Sequence, residues 1–314
     1  DINEYFELNK NKEKVFFIGD GIIKIIILNI VNCSYFLTTM PGIGNNIKKS
    51  INCKNYVYFF HALASTHKIY KDKSFDNFDI ILTNGEYQKK ELEERFSIKN
   101  ITKKIIYNTG YFYLDYLKNH YQADNENYIL FAPSWNYDKK NLFNDFGIKI
   151  INQLLEKNHK VIFRPHPEII KRNYNLYLKT VHNFTNNKNL LVDLDSSNIN
   201  SLKKSSIIIT DNSSIGLEFG LIFYRPTIYI NYKDKIHNNE FKLIKSEPLE
   251  KKFEEKFGHR IKSSDIENLS YICKNIKNLD KSNINEFIIK NLSNFGNSID
   301  KAVKFILSKN KNCI

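Results

Sequence analysis

The chain lacks the features that would send a first reading toward a membrane, a metal or a disulfide framework. Its longest apolar stretch, Ile22 to Val31, is interrupted by Lys24 and Asn29 and falls far short of the ~20 residues a crossing helix needs. No signal peptide precedes it, so a protein that stays in the cytoplasm is expected. Only four cysteines occur, Cys33, Cys53, Cys273 and Cys313, at spacings that match neither a metal site nor a redox motif. A reduced protein is the simplest inference. No paired-carboxylate D-x-D motif stands out; Asp193-Leu194-Asp195 has the letters but follows a strand-like run and reads as the start of a loop. A resident metal or other cofactor is therefore not expected.

The charge is lopsided, with 47 Lys and Arg against 34 Asp and Glu in 314 residues, a formal net charge of +13. A basic surface attracts any polyanion, but the lysines are spread along the chain and no DNA- or RNA-binding signature accompanies them. Nucleic acid is thus not an expected partner. Anionic lipid headgroups fit the same charge, so peripheral contact with the inner face of a membrane is expected instead. At 42% hydrophobic and 26% charged residues the chain is globular and long enough for two domains.

Two segments hold most of the chemical information, Val161-Ile162-Phe163-Arg164-Pro165-His166-Pro167 and Ile207-Ile208-Ile209-Thr210-Asp211-Asn212-Ser213-Ser214-Ile215-Gly216-Leu217-Glu218. Each is an apolar, β-branched run that stops abruptly in polar groups, as a buried parallel strand does where it delivers functional side chains. Asn212, Ser213 and Ser214 would form the cap and first turn of a helix, whose free N–H groups favour an anion. Arg164 and His166 can add donors from a neighbouring strand, and Asp211 would orient the turn. Taken singly, a Ser-Ser is an ordinary helix cap and a His-Pro an ordinary turn; together they describe a phosphate site.

Strand-like runs recur along the chain, at Val15 to Ile18, Tyr35 to Thr38, Val57 to Phe60, Ile80 to Thr83 and Ile105 to Tyr107, then at Ile129 to Ala132, Val161 to Arg164, Leu190 to Val192, Ile207 to Thr210 and Thr227 to Ile230. Helical patterns lie between them, at Gln88 to Phe96, Gly147 to Lys157 and Ile215 to Phe223. The alternation predicts an α/β fold. The polar segment Phe112 to Asn127 reads as the linker, dividing the chain into residues 1–122 and 123–314, and from Glu250 onward the pattern is helical.

The R-x-H-P strand end and the T-D-x-S-S-x-x-x-E turn together resemble the carboxyl-terminal domain of the CDP-glycerol glycerophosphotransferase family. Ile129-Leu130-Phe131-Ala132-Pro133-Ser134-Trp135 is similar to that family's A-P-[ST]-W strand, and Arg225-Pro226-Thr227-Ile228-Tyr229-Ile230 to its R-P-x-x-[FY] strand. Upstream, Tyr56 to Tyr70 resembles the strand-end histidine of the amino-terminal domain, with Ala62 after His61 where teichoic-acid enzymes have glycine. The likeness runs over roughly residues 35 to 260 in the expected order.

The resemblance implies a GT-B fold, with two Rossmann-like domains facing a central cleft and a helical tail that crosses back. The first domain (1–122) would serve the acceptor and the second (123–314) the nucleotide donor. Because the chain starts at Asp1, the family's first βα unit would be missing and a longer parent protein is expected. The implied reaction is transfer of glycerol phosphate, or a similar polyol phosphate, from a CDP-activated donor to a glycan or lipid-linked acceptor. His61 would be the base, with His166 also catalytic; Arg164, His166, Asp211, Asn212, Ser213 and Ser214 would hold the phosphates, and Glu218, one turn after Ser214, the ribose hydroxyls. Ser65, Thr66 and His67 are candidates for acceptor phosphate. Two other functions fit the same residues: glycosyl transfer from a CMP-activated sugar, as in sialyl- and Kdo-transferases, and a non-catalytic domain of a larger capsule polymerase.

Overall fold

The computed structural model describes residues 18, 21–45, 48–121, 124, 126–138 and 140–311. The strand expected at Val15 to Ile18 lies essentially outside them. The chain divides into two compact units that interleave along the sequence: residues 1–59, 73–82 and 101–107 form the first, and 60–72, 83–100 and 108–314 the second.

The first unit is built on strands β1 (Cys33–Thr38), β2 (Cys53–Phe59), β3 (Ile80–Thr83) and β4 (Ile105–Asn108), in the order β1-β2-β3-β4. β2 lies parallel to both β1 and β3. Its buried side chains explain the pairing: Val57 and Tyr58 are wholly buried, and the Tyr58 ring meets Phe75 and Phe78 edge-on, each at 5.1 Å. Helix α1 (Ile22–Ile30) occupies the apolar stretch noted above. Among the described residues no helix is long and apolar enough to cross a membrane.

The second unit holds a six-stranded sheet. Its strands are β5 (Tyr128–Phe131), β6 (Lys160–Phe163), β7 (Leu190–Val192), β8 (Ser205–Thr210), β9 (Thr227–Asn231) and β10 (His259–Lys262), ordered β10-β9-β8-β5-β6-β7 with every pair parallel. Ile129, Phe131, Val161, Phe163, Ile207 and Ile209 pack on one face, and Leu130, Ile162 and Ile208 on the other. Both faces are covered, which is why these strands are continuously apolar instead of alternating. The chain winds outward one way through β5, β6 and β7 and the other way through β8, β9 and β10. The direction reverses between β5 and β8, the position at which open α/β sheets bind ligand at their carboxyl ends.

The helices that matter to the site follow these strands: α2 (Thr66–Ile69), α3 (Glu86–Ile98), α4 (Phe112–Asn119), α5 (Leu142–Leu155), α6 (Pro167–Arg172), α7 (Tyr174–Asn183), α8 (Ile199–Lys204) and α9 (Ser214–Phe223). Behind them come α10 (Leu249–Phe257), α11 (Leu269–Asn275), α12 (Lys281–Asn291) and α13 (Ser298–Lys311). Two expectations need correction. The polar segment Phe112 to Asn127 begins as helix α4, because Leu114 and Leu117 are buried and Asp115 accepts hydrogen bonds from the N–H groups of Gly296 and Ser298 at 2.6 and 2.8 Å. The segment after Glu250 is interrupted by β10, which pairs with β9 and buries Ile261. The tail also docks on early residues, since Ser293 donates its N–H to the Asn84 carbonyl at 3.0 Å. Gly110 permits this approach: it has φ +99°, and a Cβ there would lie 2.3 Å from the Ser293 carbonyl.

Candidate active site

The turns after β5, β6 and β8 are neighbours because their strands are neighbours, and Asp211 ties two of them together. Its Oδ1 accepts the Ser134 N–H at 2.6 Å and its Oδ2 the Ser134 hydroxyl at 2.9 Å. Thr210 adds a hydroxyl bond to the Ala132 carbonyl at 2.6 Å. Asp211 is thus the orienting group of the turn. Burial raises its carboxyl pKa despite the Ser134 bonds.

Helix α9 starts at Ser214 with Ser213 as its cap; the Ser213 side chain makes no capping bond, and no side chain among the described residues is seen to accept from the N–H groups of its first turn. Two other helices of the same unit are self-capped: Asn141 accepts from the Asn144 N–H in α5 at 3.1 Å, and Asp280 from the Asn283 N–H in α12 at 2.8 Å. An uncapped start keeps its donors and its positive dipole end for an anion. Gly216 lets the helix sit against the sheet, because a Cβ there would meet Thr227 and Tyr229 side-chain atoms at 2.9 Å.

His166 stands at the end of β6 as the cap of α6, and its Nδ1 accepts the Glu168 N–H at 3.1 Å. That bond leaves the remaining proton of the neutral ring on Nε2. Burial, followed by the Lys235 charge, pushes its pKa down to about 4. His166 is therefore a neutral hydrogen-bond donor of fixed tautomer around neutral pH. Arg164 is engaged elsewhere, pairing with Asp193 at 2.5 Å and bonding the Asp195 carbonyl at 2.7 Å. It clamps the loop after β7, and the D-x-D letters of that loop serve the clamp. Among the described residues no group of three or more His, Cys, Asp or Glu side chains could hold a metal ion.

His61 belongs to the second unit, with His166, and is exposed. Its electrostatic effect is one of the lesser causes of the low His166 pKa. The Tyr111 hydroxyl donates toward the His61 carbonyl and toward Glu218 Oε1, both at 2.9 Å. Glu218 is only 4% exposed, and burial lifts its carboxyl to about 7 against bonds from Tyr111 and Ser214. It faces Tyr111 instead of an open surface, so the expected ribose contact meets a carboxylate already engaged.

The candidates Ser65, Thr66 and His67 are buried, at 0%, 4% and 3% exposure. Ser65 donates its N–H to Glu250 at 3.0 Å, Thr66 gives both its N–H and its hydroxyl to Glu91 Oε2 at 2.6 and 2.7 Å, and His67 Nδ1 lies 3.6 Å from the same oxygen. Their geometry is that of an internal strut, and nothing in it displays them to an acceptor phosphate.

Sequence reading missed an aromatic and cationic cluster beside the turn after β5. Trp135 packs against Tyr137, His237 and His166 at centroid distances of 4.8, 5.2 and 6.0 Å. Arg172 and Lys235 lie over the Trp135 ring at 4.9 and 5.0 Å, and Lys71 over the Tyr137 ring at 4.9 Å. Burial and the Lys235 charge push His237 down to about 4, so it too is neutral. The A-P-S-W strand end was visible in the sequence; its partners come from three distant segments and were not.

The profile of the CDP-Glycerol:Poly(glycerophosphate) glycerophosphotransferase family matches residues 55–286, well over half of the sequence. The chain belongs to this family. It is accordingly a glycerophosphotransferase-type transferase, and its donor is a cytidine nucleotide. No curated protein matches the sequence. Among solved structures, the wall teichoic acid polymerase TagF is similar in fold. A TagF variant soaked with CDPG for 15 minutes aligns at a TM-score of 0.51 and 16% identity, over 87% of this chain and 70% of that one. A 30-minute soak gives 0.51 and 15%, over 88% and 72%. The α/β architecture of this glycerophosphotransferase-family chain, with its two parallel-stranded sheets, is that of the GT-B fold.

Proposed function

We propose that the second unit binds the diphosphate of CDP-glycerol at the uncapped start of α9 and at His166, and that His61 is the base for glycerol phosphate transfer. The acceptor hydroxyl attacks the glycerol-bearing phosphorus, the bridging phosphorus–oxygen bond breaks, and CMP departs with the electron pair. The acceptor's proton passes to His61. Charge building on the leaving phosphate is met by donors already in place, the first-turn N–H groups from Ser214 onward and the Nε2–H of His166, while the Ser213 N–H holds the Asp211 carbonyl at 2.9 Å. Asp211 and Asn212 act on the turn itself, Asp211 through Ser134 and Asn212 by donating to the Lys233 carbonyl at 2.7 Å. Glu218 acts through Tyr111 on the backbone of His61. In this reading residues 1–122 serve the acceptor and 123–314 the donor, and the acceptor is a growing surface glycan or a lipid-linked primer beside an anionic, cytoplasmic membrane face.

What supports the reading is that His61 and His166 belong to one compact unit, with a helix start in that unit whose cap residue makes no side-chain capping bond. A ligand that binds only the folded state raises its melting temperature. Cytidine nucleotides should therefore stabilise the protein more than uridine or guanosine nucleotides, with EDTA present as well as without it. Equal shifts for all bases would sink the donor assignment. Turnover separates the alternatives: release of CMP from CDP-glycerol supports the proposal, consumption of a CMP-sugar supports glycosyl transfer, and binding without turnover supports a non-catalytic domain.

A further inference from the structure

Residues 232–238, the loop after β9, are strapped down on both sides of one lysine. Asn212 donates to the Lys233 carbonyl at 2.7 Å, and the Lys233 ammonium pairs with Asp138. Asp234 pairs with Lys68 at 3.3 Å, and the His237 N–H donates to the Lys68 carbonyl at 2.9 Å. The His237 ring holds the next carbonyl along, with Nδ1–H donating to Ile69 at 3.0 Å. Both charged neighbours in the loop are thus satisfied by acids or bases of other segments.

Lys235 is the exception. Its Nζ lies 5.0 Å from the centre of the Trp135 ring, and no acid among the described residues forms an ion pair with it. The carboxylate that it feels is Asp211, whose two oxygens are already taken by Ser134. Its other polar surroundings are His166 and His237, both neutral, with the Arg172 guanidinium also over the same indole, at 4.9 Å. Burial pushes the Lys235 ammonium down to about 8, offset only in part by Asp211. A desolvated cation without a counter-ion is costly to keep. It persists where a ligand supplies the missing charge.

We propose that Lys235 is a phosphate ligand of the nucleotide donor, its ammonium serving as counter-ion to the diphosphate and then to the departing cytidine monophosphate. The assignment rests on the donor-site reading above and deepens it. Lys235 stays protonated throughout: it donates hydrogen bonds to phosphate oxygens while the electron pair of the broken bond settles on CMP. Its role is separate from that of His61, which takes a proton, and from that of His166, which donates without charge.

The test uses the full chain in four forms: parent, Lys235→Met, Lys235→Arg and Lys149→Met. The last alters net charge equally but removes only an exposed pair with Glu267. CMP and CDP-glycerol are titrated calorimetrically, and cytidine, which has no phosphate, is followed by ligand-observed NMR. Lys235→Met should weaken CMP and CDP-glycerol about tenfold to a hundredfold, as loss of one charge-assisted bond does. Its affinity for cytidine should be unchanged, Lys235→Arg should restore part of the loss, and Lys149→Met should match the parent. Without nucleotide, Lys235→Met should melt at or above the parent temperature, because an unpaired charge has been removed. The proposal is overturned if Lys235→Met binds CMP as tightly as the parent. It is equally overturned if the variant melts lower and loses cytidine and CMP alike, since the lysine would then be structural. A parent that binds no cytidine nucleotide would instead remove the donor-site reading itself.

Discussion

Two strand-end turns in this molecule look alike in sequence and end up with opposite fates. Ser65-Thr66-His67 and Asn212-Ser213-Ser214 both follow an apolar strand, both open a helix and both offer small hydroxyls to an anion. In the first, the protein supplies the anions itself: Glu250 receives the Ser65 N–H and Glu91 receives the Thr66 N–H and hydroxyl. In the second, the cap residue's side chain makes no such bond, and no side chain among the described residues is seen to take the first-turn donors. A helix start is left available to a ligand anion only where the fold withholds its own carboxylate. The letters at the turn do not decide this; the residues that reach it from elsewhere do.

The largest expected effect lies at His61, a few residues before the first of these turns. His61→Ala should retain donor affinity and lose transfer by about 10²–10⁴-fold, because a general base contributes in the transition state and little to the ground-state complex. Donor titration paired with turnover at saturating acceptor checks this. Transfer at the parent rate would move the base assignment to another group.

The open turn should lose affinity when its donors are removed. His166→Ala should weaken CDP-glycerol binding about tenfold to a hundredfold, the usual cost of roughly 1.5–3 kcal/mol for a hydrogen bond to a charged group. Because the ring is neutral down to about pH 4, its share of the binding should not change between pH 5.5 and 7.5, where an ordinary histidine would titrate. Calorimetry at the two pH values, comparing parent with variant, measures it. A gap that widens sharply toward acid would mean that His166 binds as a cation.

How much of this was legible in the sequence follows from where each partner sits. The strands of the second sheet could be read because both faces are buried, so β5, β6 and β8 each carry an unbroken apolar run, Ile129 to Phe131, Val161 to Phe163 and Ile207 to Ile209. β10 could not: only Ile261 of His259–Lys262 is buried, which leaves no run and no alternation. Helix α4 was hidden by Asp115, Lys118 and two tyrosines, and is held by Gly296 and Ser298, more than 180 residues away. The same distance explains the site. Trp135, His166 and Asp211 were visible at strand ends, but the strut role of Ser65 depends on Glu250, 185 residues on. Lys235 looked like one basic residue among 47, and only its place over the Trp135 ring sets it apart.

The closed turn should respond in stability and not in affinity. Glu91→Ala removes the acceptor of two Thr66 donors in a place that is wholly buried. Leaving buried donors unpaired costs about 1–3 kcal/mol, so denaturant unfolding should show a loss of that order. Nucleotide affinity, measured where the variant is still folded, should stay at the parent value. A large loss of affinity with unchanged stability would reverse the contrast between the two turns.

The smallest effect concerns the proton on Glu250. Burial raises its carboxyl from the ordinary 4.5 to about 7, with Glu91 adding to the rise, and this outweighs the opposing hydrogen bonds from Ser65. Between those two values the folded protein holds a proton that the unfolded chain has released, so folding is favoured at the acid end. The contribution is fully present below about pH 4.5 and is lost as the pH rises through 7. His166 works the other way: its pKa is depressed to about 4, so its part of the stability is present above the unfolded value of 6.5 and is lost as the pH falls through 4. The two slopes oppose each other over the same window, and the parent should show a shallow profile. Glu250→Gln keeps an oxygen to accept the Ser65 N–H but has no proton to release. Glu218, raised to about 7, and His237, lowered to about 4, add a like opposed pair, so the variant's melting temperature should rise more steeply from pH 5 to 7 than that of the parent, since the histidine slopes are then only partly offset. Superimposable profiles for parent and variant would show that Glu250 does not titrate in this range, and that the closed turn is held by a permanent charge.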